Sequence, residues 1–138
     1  MALKNASTFS RYVVKTDSLN YLKRFVNDTQ MNLQISPAEL AEKFRAAERP
    51  HLLDVREQEE HDFVALAGST LIPLNELGAR IDEISDWREK EIVVYCHHGI
   101  RSLNAIAQLR HFGFTNLRNL AGGIDRWTTD IDSSLPRY

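Results

Sequence analysis

The sequence holds one cysteine, Cys96, and that scarcity excludes an intrachain disulfide framework; it suits a reducing compartment. It lacks a charge excess. The formal net charge of -2 argues against general nucleic-acid or membrane-surface binding. No apolar run approaches the length of a membrane span, and no apolar core of a secretory signal opens the chain. Internal repeats and low-complexity tracts are absent as well. The 138 residues suffice for one domain with a real core.

Residues 1–16 carry Lys4, Arg11 and Lys15 but no acid before Asp17, a faint likeness to an organelle transit peptide. We read the segment instead as part of a polar extension, residues 1–32, of a cytoplasmic protein. Within it Leu19, Leu22, Phe25 and Val26 share one helical face, which suits a short helix packed on the domain or on a partner.

From residue 33 strand and helix patterns alternate. Leu33-Gln34-Ile35 reads as a short strand. Ser36-Pro37-Ala38-Glu39 reads as a helix start, with serine to cap, proline in the first turn and glutamate placed for a capping box. Leu40, Ala41, Phe44 and Ala47 form its inner stripe, and Arg49-Pro50 ends it. Residues 51–55 predict a second strand, and residues 56–62 a short surface helix or turn. Thr70-Leu71-Ile72 is a third strand ending at Pro73. Asn75 can cap a following helix whose inner face is Leu77, Ile81 and Ile84. Residues 91–95 are apolar without alternation, as in a central parallel strand covered on both faces. A helix over 103–112 follows, with Leu103, Ile106, Ala107, Leu109 and Phe112 as its stripe and Gly113 as its C-cap. Residues 116–120 are a last strand, Gly122-Gly123 a turn, Trp127 a core residue, and residues 130–138 a polar tail. The pattern predicts an α/β domain over residues 33–138 with a mostly parallel sheet.

The chemistry concentrates in Cys96-His97-His98-Gly99-Ile100-Arg101-Ser102, between the fourth strand and its helix. A thiol there lies near unpaired N–H groups and the positive end of the helix dipole, which lower its pKa and make it a nucleophile. The same loop can cradle an anion. A lone cysteine ending a core strand is otherwise only a small buried hydrophobe. Gly99, which permits a tight turn, and Arg101, a fixed cation, favour the nucleophile.

Four separated segments carry a family resemblance. They are Leu53-Asp54-Val55-Arg56-Glu57, Ala67-Gly68-Ser69-Thr70-Leu71-Ile72-Pro73, the Cys96 to Ser102 loop, and Leu120-Ala121-Gly122-Gly123-Ile124-Asp125-Arg126-Trp127. Together they resemble the single-domain rhodaneses, sulfurtransferases that carry sulfur on a cysteine. The resemblance implies a three-layer rhodanese-like domain, with a mostly parallel five-stranded sheet and helices on both faces. Phe63-Val64-Ala65-Leu66-Ala67 departs from the family, which often has His-Ile there, and the extension has no counterpart in the minimal domain. The Pro136-Arg137-Tyr138 ending is similar to rhodanese domains fused to activating enzymes of cofactor synthesis, without their adenylating domain.

The implied activity is a thiosulfate sulfurtransferase. Cys96 would take sulfane sulfur from a donor such as thiosulfate, hold it as a persulfide, and pass it to a thiol or cyanide. Backbone N–H groups of residues 97–102, and so of Gly99, Ile100 and Ser102, would stabilise the anionic sulfur. Arg101 would hold the donor's sulfonate; its other reading is a structural ion pair. His97 and His98 would attract the donor anion or simply be solvated. Adjacent side chains on a tight loop cannot easily meet one tetrahedral ion, so no metal is expected, and no cofactor. Asp54 and Arg56, at a strand's C-terminal end, either support the loop or form a structural pair. Expected partners are a small sulfur donor and a thiol acceptor, including a protein thiol, with no nucleic acid and no membrane.

Two rivals remain. Phosphatases and arsenate reductases of related chemistry place five residues between cysteine and arginine; here four separate Cys96 from Arg101, a loop sized for one sulfur atom. A non-catalytic or partner-dedicated sulfur-carrier module is the other. Inactive relatives typically lose the cysteine that this chain keeps.

Overall fold

The computed structural model describes residues 33–138; the extension, with Leu19, Leu22, Phe25 and Val26, lies outside the described residues. Five strands form one sheet: β1 (Gln34–Ile35), β2 (His51–Asp54), β3 (Thr70–Leu71), β4 (Ile92–Tyr95) and β5 (Leu117–Leu120). Their order is β1-β5-β4-β2-β3, and every neighbouring pair is parallel. Parallel neighbours need crossovers, which cover the sheet faces with helices. β4 is central, and all four of its residues are buried. Its side chains alternate between two cores. Ile92, Val94 and Cys96 join one, Val93 and Tyr95 the other.

Among the described residues four α-helices complete the layers: α1 (Pro37–Arg45), α2 (Gln58–Phe63), α3 (Arg101–His111) and α4 (Gly123–Asp130). α3 covers the Cys96 face through Ala105, Ile106 and Leu109, joined by Leu77, Ile81 and Ile84. α1 and α4 cover the other through Leu40, Ala41, Ile124 and Trp127. None of the described helices is long and apolar enough to cross a membrane.

Local expectations fail where tertiary contacts or backbone closure intervene. Ser36 does cap α1, accepting the Glu39 N–H at 3.1 Å, but the helix stops at Arg45 rather than at Arg49-Pro50. Ala47 N–H donates to the Phe44 carbonyl and Glu48 N–H to that of Lys43, closing the end with Ala47 at φ 56. Ala47 therefore leaves the predicted stripe and is exposed. Asn75 caps nothing. It lies inside a 3-10 turn, Leu74–Glu76, and a second 3-10 stretch, Ile81–Trp87, breaks at Ile84. Gly78, Ser85 and Asp86 are weak helix formers in this segment, yet the apolar positions still turn inward. On α3 the buried stripe is Ser102, Ala105, Ile106 and Leu109, so Leu103 and Ala107 face outward and Phe112 is 36% exposed. The tail is less polar in role than in composition, since Ile131 and Leu135 pack on the second core.

Candidate active site

β4 delivers Cys96 to the carboxyl edge of the sheet, and α3 begins five residues later. The intervening loop is pinned by its own carbonyls. Ile124 N–H donates to the Cys96 carbonyl at 3.0 Å and Asp125 N–H to that of His97 at 3.1 Å, both from the first turn of α4. That approach requires Gly123. Its φ is +64, and a Cβ there would sit 2.2 Å from the His97 oxygen. The pair Gly122-Gly123 is thus a turn, as expected, and also a docking surface for the cysteine loop, which the sequence reading missed.

With the carbonyls held outward, N–H groups point in. Gly99, at φ +100, donates its N–H to Cys96 Sγ at 3.1 Å, and Ser102 donates its N–H at 3.4 Å. The residue before α3, Ile100, offers no side-chain cap. The sulfur takes that place, accepting an N–H at the helix start. Cys96 is 1% exposed. Burial pushes its pKa up, but the hydrogen bonds that converge on the sulfur, among them those from the N–H groups of Ser102, Gly99 and His98, outweigh burial and bring it below the ordinary thiol value.

Asn119 was not anticipated. It is 2% exposed in β5, where Val94 is its register partner, and it accepts a hydrogen bond from Ser102 Oγ. Its only sequence signal is a polar amide two positions after Leu117 in Leu117-Arg118-Asn119-Leu120, on the strand face that the leucine marks as buried.

The other candidate residues form a second tier. Arg101 donates through both terminal nitrogens to Glu60 on α2, each at 2.8 Å. This bidentate pair is the main reason the Glu60 carboxyl falls to about 2; the Glu57 N–H and Tyr138 hydroxyl assist, and burial opposes. Tyr138 donates to Glu60 at 2.8 Å, accepts from Arg56 at 2.9 Å, and stacks on His97 at 3.9 Å and 9°. Arg56 is fully buried. It is held bidentately by Asp54 at 2.9 and 2.7 Å, and it donates to the Val64 and Glu60 carbonyls. Asp54 and Arg56 therefore shape the segment that presents Glu60 to Arg101, and their hydrogen bonds go to that segment and to Tyr138. His97 lies between Tyr138 and His98. Burial and the neighbouring His98 lower its pKa, which favours the neutral ring. His98 and Ile100 are exposed at the rim, Ile100 by 78%. The structure thus gathers Gly99 and Ser102 on Cys96, and ties Arg101 to Glu60.

Comparison with known proteins locates this geometry. The family model described as Rhodanese-like domain matches residues 36–130. The chain is 32% identical over 140 residues to the adenylyltransferase and sulfurtransferase uba4 of Ogataea parapolymorpha, covering 97% of this chain and 34% of that one. It therefore spans about a third of that relative's length. Among solved structures, a rhodanese-related protein from Thermoplasma volcanium superposes with a TM-score of 0.62 at 35% identity, covering 71% of this chain and 92% of that one. The human single domain sulfurtransferase TSTD1 gives a TM-score of 0.62 at 29% identity, covering 71% and 96%.

Proposed function

The chain belongs to the rhodanese-like domain family, and on that premise we propose that residues 33–138 transfer sulfane sulfur through a persulfide on Cys96. The observation that carries this reading is the sulfur itself, buried and accepting two backbone N–H groups at the start of a helix. Such a site stabilises an anionic sulfur as an oxyanion hole stabilises oxygen. The names of the relatives, two of them sulfurtransferases, agree with it.

In the first half-reaction the Cys96 thiolate attacks the outer sulfur of a donor such as thiosulfate. The new S–S bond forms as the donor's S–S bond breaks, and its electron pair leaves with sulfite. In the second, cyanide or a thiolate attacks the outer persulfide sulfur and Cys96 departs as thiolate, so no cofactor is needed. With one cysteine in the chain, net turnover requires an acceptor from outside, a small thiol or a partner protein's cysteine. Arg101 would steer the donor's sulfonate once released in part from Glu60. A cytoplasmic setting suits this chemistry because it keeps Cys96 reduced.

A phosphatase reading fits less well. The N–H groups of Gly99 and Ser102 close on the sulfur, and both terminal nitrogens of Arg101 are engaged by Glu60. The test is intact mass after thiosulfate treatment, with thiocyanate release on adding cyanide. The native protein should gain about one sulfur atom, captured covalently, and Cys96→Ser none. Equal gain in both proteins would sink the proposal.

A further inference from the structure

Asn119 projects from β5 on the same face as Leu117, toward the core that contains Cys96. A side-chain amide offers two donor hydrogens and one acceptor oxygen. Here Nδ2 donates to the Gly99 carbonyl at 3.3 Å and to Gln34 Oε1 at 3.0 Å. A backbone carbonyl can only accept, so it decides which way the amide faces. Oδ1 must then be the atom 2.5 Å from Ser102 Oγ, and because Oδ1 can only accept, the serine hydrogen lies on that bond.

Ser102 has one hydroxyl hydrogen, yet its oxygen is also 3.4 Å from Cys96 Sγ. While the hydrogen points at Asn119, the serine turns lone pairs toward the sulfur. That polarity suits a thiol, whose S–H can donate to Oγ, and opposes a thiolate. A thiolate can draw the serine hydrogen only by rotating it away from Asn119. The rotation leaves Oδ1, in a residue 2% exposed, without its donor.

We propose that Asn119 is a positioning residue that acts through Ser102, directing the serine hydroxyl away from Cys96 and so setting the pH at which the sulfur becomes a nucleophile. The proposal rests on Cys96 being the nucleophile. It does not depend on which donor or acceptor is used. The two buried groups compete for a single hydrogen, and the amide restrains a thiolate that the N–H groups of Gly99 and Ser102 favour.

The experiment measures the rate of Cys96 alkylation by iodoacetamide against pH, which gives the thiol pKa without any sulfur transfer. Four proteins are compared: native, Ser102→Ala, Asn119→Leu, and the double variant. In the native background, Ser102→Ala removes a hydroxyl whose hydrogen is already committed, so the pKa should stay or fall. In the Asn119→Leu background the hydrogen is free to meet the sulfur. There Ser102→Ala should raise the pKa by about one unit, a tenfold change in thiolate fraction. An equal rise in both backgrounds would overturn the proposal. Where Asn119→Leu fails to fold, Ser102→Ala alone decides: a rise of about one unit refutes it, and an unchanged or lower value supports it. If native protein alkylates with a normal profile of this kind but gains no sulfur from thiosulfate, the sulfur-transfer reading fails while the role of Asn119 is still measured.

Discussion

Replacing Gly123 by alanine should damage the cysteine loop more than any other single methyl addition, and the structure supplies the size of the effect. The residue sits at φ +64, where an L side chain costs about 1–2 kcal/mol. The new Cβ would also lie 2.2 Å from the His97 oxygen and 2.6 Å from the Cys96 oxygen, so α4 and the loop must part by about 1 Å to restore ordinary contact. Parting strains the Ile124 to Cys96 and Asp125 to His97 hydrogen bonds, each contributing about 1 kcal/mol. The sum is about 3–4 kcal/mol, or a fall in Tm on the order of 10 °C or more. A nucleophile misplaced by about 1 Å also loses about a hundredfold in rate. The control is Gly113→Ala. Its φ is +90 and nothing lies within 4 Å of the added Cβ, so it reports the backbone cost alone. The assays are thermal unfolding and cyanolysis after thiosulfate loading. If Gly123→Ala matched Gly113→Ala in Tm and kept native sulfur transfer, the argument that close approach holds the loop would be refuted.

Arg101→Ala should raise the thiosulfate KM about tenfold, the loss of one charge-assisted contact, whereas Glu60→Gln, which loosens Arg101 from its partner, should lower it; an unchanged KM in both variants would leave Arg101 a structural ion pair. The Glu60 carboxyl, held at about 2 against an ordinary 4.5, contributes stability that is full above pH 4.5 and is lost as pH falls toward 2. Because the Arg101 side chain is 37% exposed, screening limits that contribution to about 1–2 kcal/mol. Urea midpoints of native protein and Glu60→Gln should therefore differ at pH 6 and draw together as pH falls from 4.5 toward 2, and a constant gap would contradict the assignment. Ala47→Gly should stabilise by about 0.5–1 kcal/mol, because glycine adopts the left-handed φ of 56 without Cβ strain; a lower Tm would show that the alanine is not strained.

Periodicity and punctuation alone were enough for the five strands and for α1 and α3, since each apolar run answers to the pleat or the helical turn in which it sits, whereas α4 was read only as a turn and a core tryptophan. Ser36 before Pro37, the unbroken apolar run of β4, and Gly99 with Arg101 after Cys96 were legible for the same reason: their physics is local. The breakdown of the 74–87 segment into 3-10 turns was not legible, because inward-facing Leu77, Ile81 and Ile84 satisfy either kind of helix. Nor were the partners of the site. Glu60 lies 41 positions from Arg101, Tyr138 lies 78 from Glu60, and Asn119 lies 17 from Ser102. No spacing rule links such residues. Asn119 meets Ser102 because the parallel strand order sets β5 beside β4, bringing Asn119 into register with Val94 on the side of the sheet where the thiol also lies. The nucleophile is thus a property of the sequence, written into one loop at a strand end. The N–H groups that favour its charge come from the same loop, and the amide that directs the Ser102 hydroxyl, Asn119, comes from the sheet.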